Sequence, residues 1–147
     1  MTSLQNCMQI KIKKLHPDVQ LPSYAHPGDA GLDLFSLEKY TLQPGERKLF
    51  PLGFSLEFEP GYVALLQGKS GLAKKHGIQS LAGVCDAGYR GEYSIILINL
   101  GNEPYTFEPG HKLGQLLIVP VMQVALEETT ELSDTSRSEG GFGSTGK

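Results

Sequence analysis

Apolar and polar positions alternate along much of this chain with a period of two. Met8, Ile10 and Ile12 are interleaved with Gln9, Lys11 and Lys13, and Phe54, Leu56 and Phe58 with Ser55 and Glu57. Successive side chains of a strand point to opposite faces, so each stretch predicts a strand with one covered side. Three further runs, residues 62–66, 93–100 and 113–121, are more continuously apolar. They suit strands covered on both faces or packed against another chain. Four Pro-Gly pairs stand at Pro27-Gly28, Pro44-Gly45, Pro60-Gly61 and Pro109-Gly110. Proline presets φ for the first central position of a turn and glycine takes the positive φ of the second, so each pair predicts a turn. Many short strands with regular turns predict an all-β, jelly-roll-like β-barrel.

One stretch breaks this pattern. Ser70-Gly71-Leu72-Ala73-Lys74-Lys75-His76-Gly77 predicts a single short helix, with Ser70 as its N-cap and Gly77 as its C-terminal stop. From Glu127 onward the composition turns to Ser, Thr, Glu and Gly, with Phe142 the lone aromatic. Such a segment buries too little apolar surface to order itself. The chain therefore divides into a β-domain over residues 1–126 and a flexible C-terminal tail over 127–147.

Length and charge narrow the function. The 147 residues suffice for one domain with a real core. With 13 Lys and Arg against 16 Asp and Glu, the net charge is -3. No basic excess is present, which argues against a nucleic-acid partner, and any phosphate must be held by a few placed cations and backbone N–H groups. Cys7 and Cys85 are too few for a disulfide framework, so a reducing compartment is expected. Residues 1–10 lack the pattern of a secretory signal, and the longest apolar run, 116–122, is interrupted by Pro120 and too short to span a bilayer. The expectation is a soluble, cytoplasmic protein with no membrane partner.

Five strings carry candidate chemistry, each with a plainer alternative. Ala30-Gly31-Leu32-Asp33-Leu34 places an acid between leucines; Asp33 points out of a strand for a purpose or is simply a solvated edge carboxylate. Gln67-Gly68-Lys69-Ser70-Gly71-Leu72 sets a cation beside a helix start, which is an anion site or an ordinary capped helix. Gly83-Val84-Cys85-Asp86-Ala87-Gly88-Tyr89-Arg90-Gly91-Glu92 reads as a tight hairpin. Its Asp86 is a candidate general base toward water, and its alternative is an Asp/Gly-rich surface turn. Gly110-His111-Lys112-Leu113-Gly114-Gln115-Leu116 is a turn leading into a strand that bears Gln115. Gly140-Gly141-Phe142-Gly143-Ser144-Thr145-Gly146, with Arg137 upstream, resembles a phosphate-cradling loop or a plain Gly/Ser terminus. The four histidines and two cysteines are scattered, without metal-ligand spacing.

Taken in order, these five strings resemble the motifs of the trimeric dUTPase family, and they run from Gly28 to Gly146. The resemblance implies a β-clip, jelly-roll-like barrel and a homotrimer whose active sites are each shared among three chains. It implies hydrolysis of dUTP to dUMP and pyrophosphate, which limits uracil in DNA and supplies dUMP for dTMP synthesis. Asp86 would be the catalytic residue, activating a water against the α-phosphorus. Tyr89 would pack under the deoxyribose, and backbone around Gly83 and Val84 would read uracil. Lys69, Ser70, Gly71 and Gln115 would hold phosphates. Arg137, Gly143, Ser144 and Thr145 would hold the γ end, with Phe142 over the uracil. The cofactor would be Mg²⁺, carried by the phosphates and waters, with Asp33 in its outer shell.

Some positions depart from the family pattern. Gly68-Lys69-Ser70 stands where Pro-Arg-Ser is usual, and lysine lacks arginine's bidentate fork. Ser138 replaces a typical glycine, Glu139 adds a negative charge near the γ-phosphate, and Cys85 stands where isoleucine is common. The neighbouring dCTP deaminase chemistry wants a catalytic glutamate near the base, and Glu92, after Arg90, falls outside that place.

Overall fold

The computed structural model describes residues 7–146. β1 (Lys11–Lys14) pairs with β5 (Phe54–Glu57), and β3 (Tyr40–Leu42) with β10 (Tyr105–Phe107). A three-stranded sheet runs in the order β4 (Arg47–Pro51), β9 (Ser94–Asn99), β7 (Ile78–Leu81). A four-stranded sheet runs β2 (Leu32–Phe35), β11 (Lys112–Pro120), β6 (Tyr62–Gln67), β8 (Val84–Asp86). Every pairing is antiparallel. This is the expected jelly-roll-like β fold, with its sheets left separate rather than closed into one ladder. No helix among the described residues is long and apolar enough to cross a membrane.

The sheets enclose one apolar core built from Leu34, Phe50, Phe54, Leu66, Tyr93, Leu97 and Leu116, among others. Fully burying a side chain of this size stabilises by about 1.5–3 kcal/mol. Phe50 meets Phe107 edge-on at 5.2 Å and Tyr40 at 5.9 Å, the offset geometry that aromatic quadrupoles favour. Phe54, Leu56 and Phe58 are buried as their alternation predicts and Glu57 faces water, but Ser55, expected on the open face, is buried as well. All four Pro-Gly pairs are turns, and Gly28, Gly45, Gly61 and Gly110 adopt φ of 85°, 78°, 92° and 84°.

Three further expectations are modified. All four residues of β1 are exposed; it is an edge strand whose Ile12 is only partly covered. The helix α1 spans Ser70–His76, but its N-cap is Lys69, with no side-chain cap hydrogen bond. Lys69 still has extended backbone and Ser70 is already in the first turn, so the serine hydroxyl is not spent on capping. Gly77 ends the helix in the left-handed conformation, as expected. Lastly, the continuous apolar runs are covered fully on one face only. Leu65, Ile96, Ile98, Leu117 and Val119 remain half-buried and Leu100 is 68% exposed, which leaves the second alternative, packing against another chain, in place.

The chain leaves the core at Val121. From there to the last described residue every position is exposed except Gly140 and Gly141, which are half-buried. Met122, Val124 and Leu126 recur at every second position of this extended stretch with 89%, 72% and 94% of their surface in solvent.

Candidate active site

The four-stranded sheet aligns the candidate residues on one face. Gln115 lies opposite Asp33 on one side and Gln67 on the other. Two positions on, Leu117 lies opposite Leu65, which lies opposite Val84. Two further on, Val119 lies opposite Val63, which lies opposite Asp86. Directly paired residues share a face. This face therefore has a polar row at one end, an apolar row in the middle, and the Asp86 carboxylate at the other end. Gln67 and Val63 are four residues apart on β6, so the ends are separated by about 13 Å.

At the polar end, Asp33 is 3% exposed and held between two ammonium groups. Lys69 Nζ lies 2.5 Å from Oδ1 and Lys112 Nζ 2.8 Å from Oδ2. Burial alone raises the carboxyl pKa by disfavouring its charge, but the hydrogen bonds and charges of Lys112 and Lys69 outweigh it and hold Asp33 below the usual aspartate range. Asp33 is thus neither a solvated edge carboxylate nor open to a ligand without displacing a lysine. Gln115 Nε2 donates to the Gly68 carbonyl at 3.0 Å. A cleft of about 350 Å³ opens beside Lys69, Ser70, Gln67, Gln79 and Gln115.

At the other end, the hairpin is pinned from several sides. A Cβ on Gly83 would stand 2.3 Å from the Leu66 carbonyl oxygen, and φ there is 114°, so only glycine lets the two strands approach. Tyr89 folds over Gly91, where a Cβ would meet its hydroxyl at 2.4 Å. That hydroxyl donates to the Glu92 carbonyl at 2.9 Å, and the Tyr89 ring packs 5.6 Å from Tyr93. The Glu92 carboxylate accepts from the Gly53 N–H, Ser55 Oγ donates to the Gly91 carbonyl, and Arg90 donates to the Ala87 carbonyl. Glu92 is therefore occupied in holding the loop. Asp86 itself is exposed and takes part in none of the ion pairs among the described residues. It borders a cleft of about 450 Å³ with Tyr62, Val84, Gly88, Val121 and Gln123. Cys85 is half-buried, and burial pushes its thiol pKa up, as befits a packing residue.

The tail residues lie apart from both ends. Arg137 Nε donates to the Gly140 carbonyl at 2.8 Å, so the loop is closed on itself. Phe142 is fully exposed. Ser138, at the typical glycine position, has φ 47°, a conformation glycine reaches without strain. One chain thus groups the predicted residues as Asp33, Lys69, Ser70, Gly71 and Gln115, then Gly83, Val84, Asp86 and Tyr89, then Arg137, Phe142, Gly143, Ser144 and Thr145. It does not bring the three groups together.

The sequence reading missed Lys112, Glu92 and Ser55 as supports of the site. Lys112 was visible in principle. Strict alternation from Gln115 would put the apolar Leu113 on the polar face, and that conflict signals an irregular strand.

The dUTPase family model matches residues 18–146. The chain is 46% identical over 141 residues to the deoxyuridine 5'-triphosphate nucleotidohydrolase of Clostridium kluyveri, covering 95% of this chain and 99% of that protein. The chain belongs to the dUTPase family. The corresponding Clostridium novyi protein is 47% identical over 141 residues, covering 95% and 99%. Among solved structures, the fold is similar to that of the Staphylococcus bacteriophage 80alpha dUTPase with dUpNHpp, with a TM-score of 0.85, 30% identity, and 95% and 99% of the two chains covered. It is similar also to a dUTPase variant from phage phi11 of S. aureus, whose structure details the coordination of a structural Mg(II) ion. There the TM-score is 0.79 and the identity 27%, with 84% and 98% covered.

Proposed function

We propose that this protein hydrolyses dUTP to dUMP and pyrophosphate, in the cytoplasm, at sites shared among the chains of a homotrimer. The observation that carries this reading is the single sheet face with a phosphate-type row at one end and an unpaired carboxylate at the other. A hydrolase of this kind needs both, one to hold charge and one to activate water. The separation of about 13 Å along β6, with a half-covered apolar row between, favours completion of each site by a neighbouring copy. The half-buried Ile96 and Ile98 and the apolar stripe of Met122, Val124 and Leu126 offer further surface for such neighbours.

In this mechanism Asp86 orients a water and accepts its proton while the oxygen attacks the α-phosphorus in line. Exposure and freedom from ion pairs leave its carboxylate available as an acceptor. Tyr89, fixed over Gly91, supplies a flat ring for the deoxyribose and leaves no room for a 2′-hydroxyl. Hairpin backbone at Gly83 and Val84 reads uracil, and the steepness of that selection comes from polar groups that a wrong base would leave unpaired. Lys69, Ser70, Gly71 and Gln115 hold the phosphates, and the unspent Ser70 hydroxyl suits this role. The tail, residues 127–147, closes over the site, with Arg137, Gly143, Ser144 and Thr145 at the γ end and Phe142 over the base.

The described residues contain no cluster of three or more acidic, histidine or cysteine side chains able to chelate a metal. Mg²⁺ would be carried by the triphosphate and its waters, with Asp33 in its outer shell once Lys69 has left Oδ1 for the phosphate. When bound, the ion would neutralise phosphate charge and steady the pyrophosphate as it leaves.

The decisive assay measures pyrophosphate release from dUTP, dTTP, UTP and dCTP in parallel, with and without Mg²⁺. Turnover confined to dUTP and dependent on Mg²⁺ is expected; ammonia from dCTP would assign the deaminase chemistry instead. A second expectation concerns the tail. Ordering each residue costs about 1–2 kcal/mol, so closure must draw on the triphosphate. A dUTP analogue should protect the tail from protease far more than dUMP does.

A further inference from the structure

We propose that Lys112 is a positioning residue for phosphate binding: by neutralising Asp33, it frees Lys69 to leave that carboxylate and grip the substrate. The inference rests on the phosphate role given to Lys69 above. Its ground is the arrangement around Asp33. Lys69 is the cation that borders the Ser70–Gln115 cleft, yet its ammonium is bound to Asp33 Oδ1. A phosphate that draws Lys69 into the cleft competes for its ammonium with a carboxylate whose side chain is 4% exposed. An unpaired buried carboxylate is costly, so with one counterion Asp33 would keep its lysine. The second ammonium, Lys112 on Oδ2 at 2.8 Å, removes that competition.

The backbone is shaped to bring Lys112 there. Along β11, Leu116 lies opposite Leu32, Gln115 opposite Asp33 and Gly114 opposite Leu34. The next regular partner of Phe35 would be Leu113, but the register shifts and Lys112 takes that place. This bulge turns Leu113 into the core, where it is fully buried, and turns Lys112 onto the face of Asp33. Gly114 makes the bend possible, because a Cβ there would lie 2.5 Å from Ile95 Cδ1 and 2.6 Å from the Gln67 carbonyl oxygen. Lys112 lines one cleft with Lys69, Gly71, Tyr105 and His111, whereas the cleft of Ser70 and Gln115 is bordered by Lys69 but not by Lys112. It thus acts on the phosphate through Asp33 and Lys69.

The test is calorimetric binding of inorganic tripolyphosphate, without metal, to the full chain. It compares wild type, Lys112→Met and Lys112→Arg, with Lys112→Met repeated in an Asp33→Asn background. Lys112→Met should weaken binding about tenfold, the scale of one charge-assisted hydrogen bond. Lys112→Arg should restore it, and in the Asp33→Asn background Lys112→Met should change nothing. In turnover, Lys112→Met should raise KM for dUTP with kcat nearly kept. Wild-type-like binding by Lys112→Met would overturn the proposal, and so would absence of tripolyphosphate binding in the wild type. Equal loss in both backgrounds would also overturn it, since Lys112 would then act on phosphate directly. dUTP turnover by the wild type judges the proposed function separately from these binding measurements.

Discussion

Asp33 and Asp86 sit on the same sheet face, yet their surroundings are opposite. Asp33 is buried, and each of its oxygens meets a lysine. Asp86 stands in solvent on a hairpin whose other polar groups are committed to holding the loop. The difference separates two uses of a carboxylate. A charge neutralised by two cations organises its neighbours but is a poor proton acceptor, whereas a charge without cation partners remains available to a water molecule.

The strongest way to sharpen this contrast is Asp86→Asn. Hydrolysis of dUTP should fall by about 10²–10⁴-fold while the melting temperature stays unchanged. Equal activity would remove Asp86 from the chemistry. Asp33→Asn should do the reverse to the fold, costing about 2 kcal/mol in denaturant unfolding; the exposure of Lys69 and Lys112 lets them relax into water and limits the loss. The pH dependence has a definite sign. Because the folded-state pKa of Asp33 is lowered from 3.8, its stabilisation is present above that value and disappears as the pH falls through the lower one. The gap between wild type and Asp33→Asn should therefore close in acid. Phe142→Ala should reduce kcat/KM about tenfold with no change in melting, since the ring touches only solvent in the free protein. The smallest effect is expected at Ala82, which adopts φ 58° just before the hairpin. Ala82→Gly should raise stability by about 0.5 kcal/mol, relieved strain slightly exceeding the lost chain stiffness.

What could be read from the chain beforehand was local. The Pro-Gly turns, the alternation at Phe54, Leu56 and Phe58, and the glycine stop at Gly77 each depend on neighbours a few residues away, and each is found. The helix start slipped by one residue, because whether Ser70 caps or enters the first turn depends on the course of Gly68 and Lys69. The state of Asp33 was hidden for a different reason. Its partners lie 36 and 79 positions away in sequence, and one of them arrives only through an irregular strand. The grouping of Gln115, Leu65 and Asp86 on one face likewise needed the register of three strands. The family motifs named the candidate residues; only the fold reveals which are already paired.

The extra residue in β11 also bears on how this protein can vary. Point substitutions along the strand leave its phase intact, but every single deletion here has its own cost: without Lys112, Leu113 would lie opposite Phe35 on the face of Asp33; without Leu113, the core loses a fully buried side chain; without Gly114, Leu113 would bring a Cβ against Ile95. A library covering Lys112 to Gly114 should therefore be depleted both in single-codon deletions and in substitutions at Gly114.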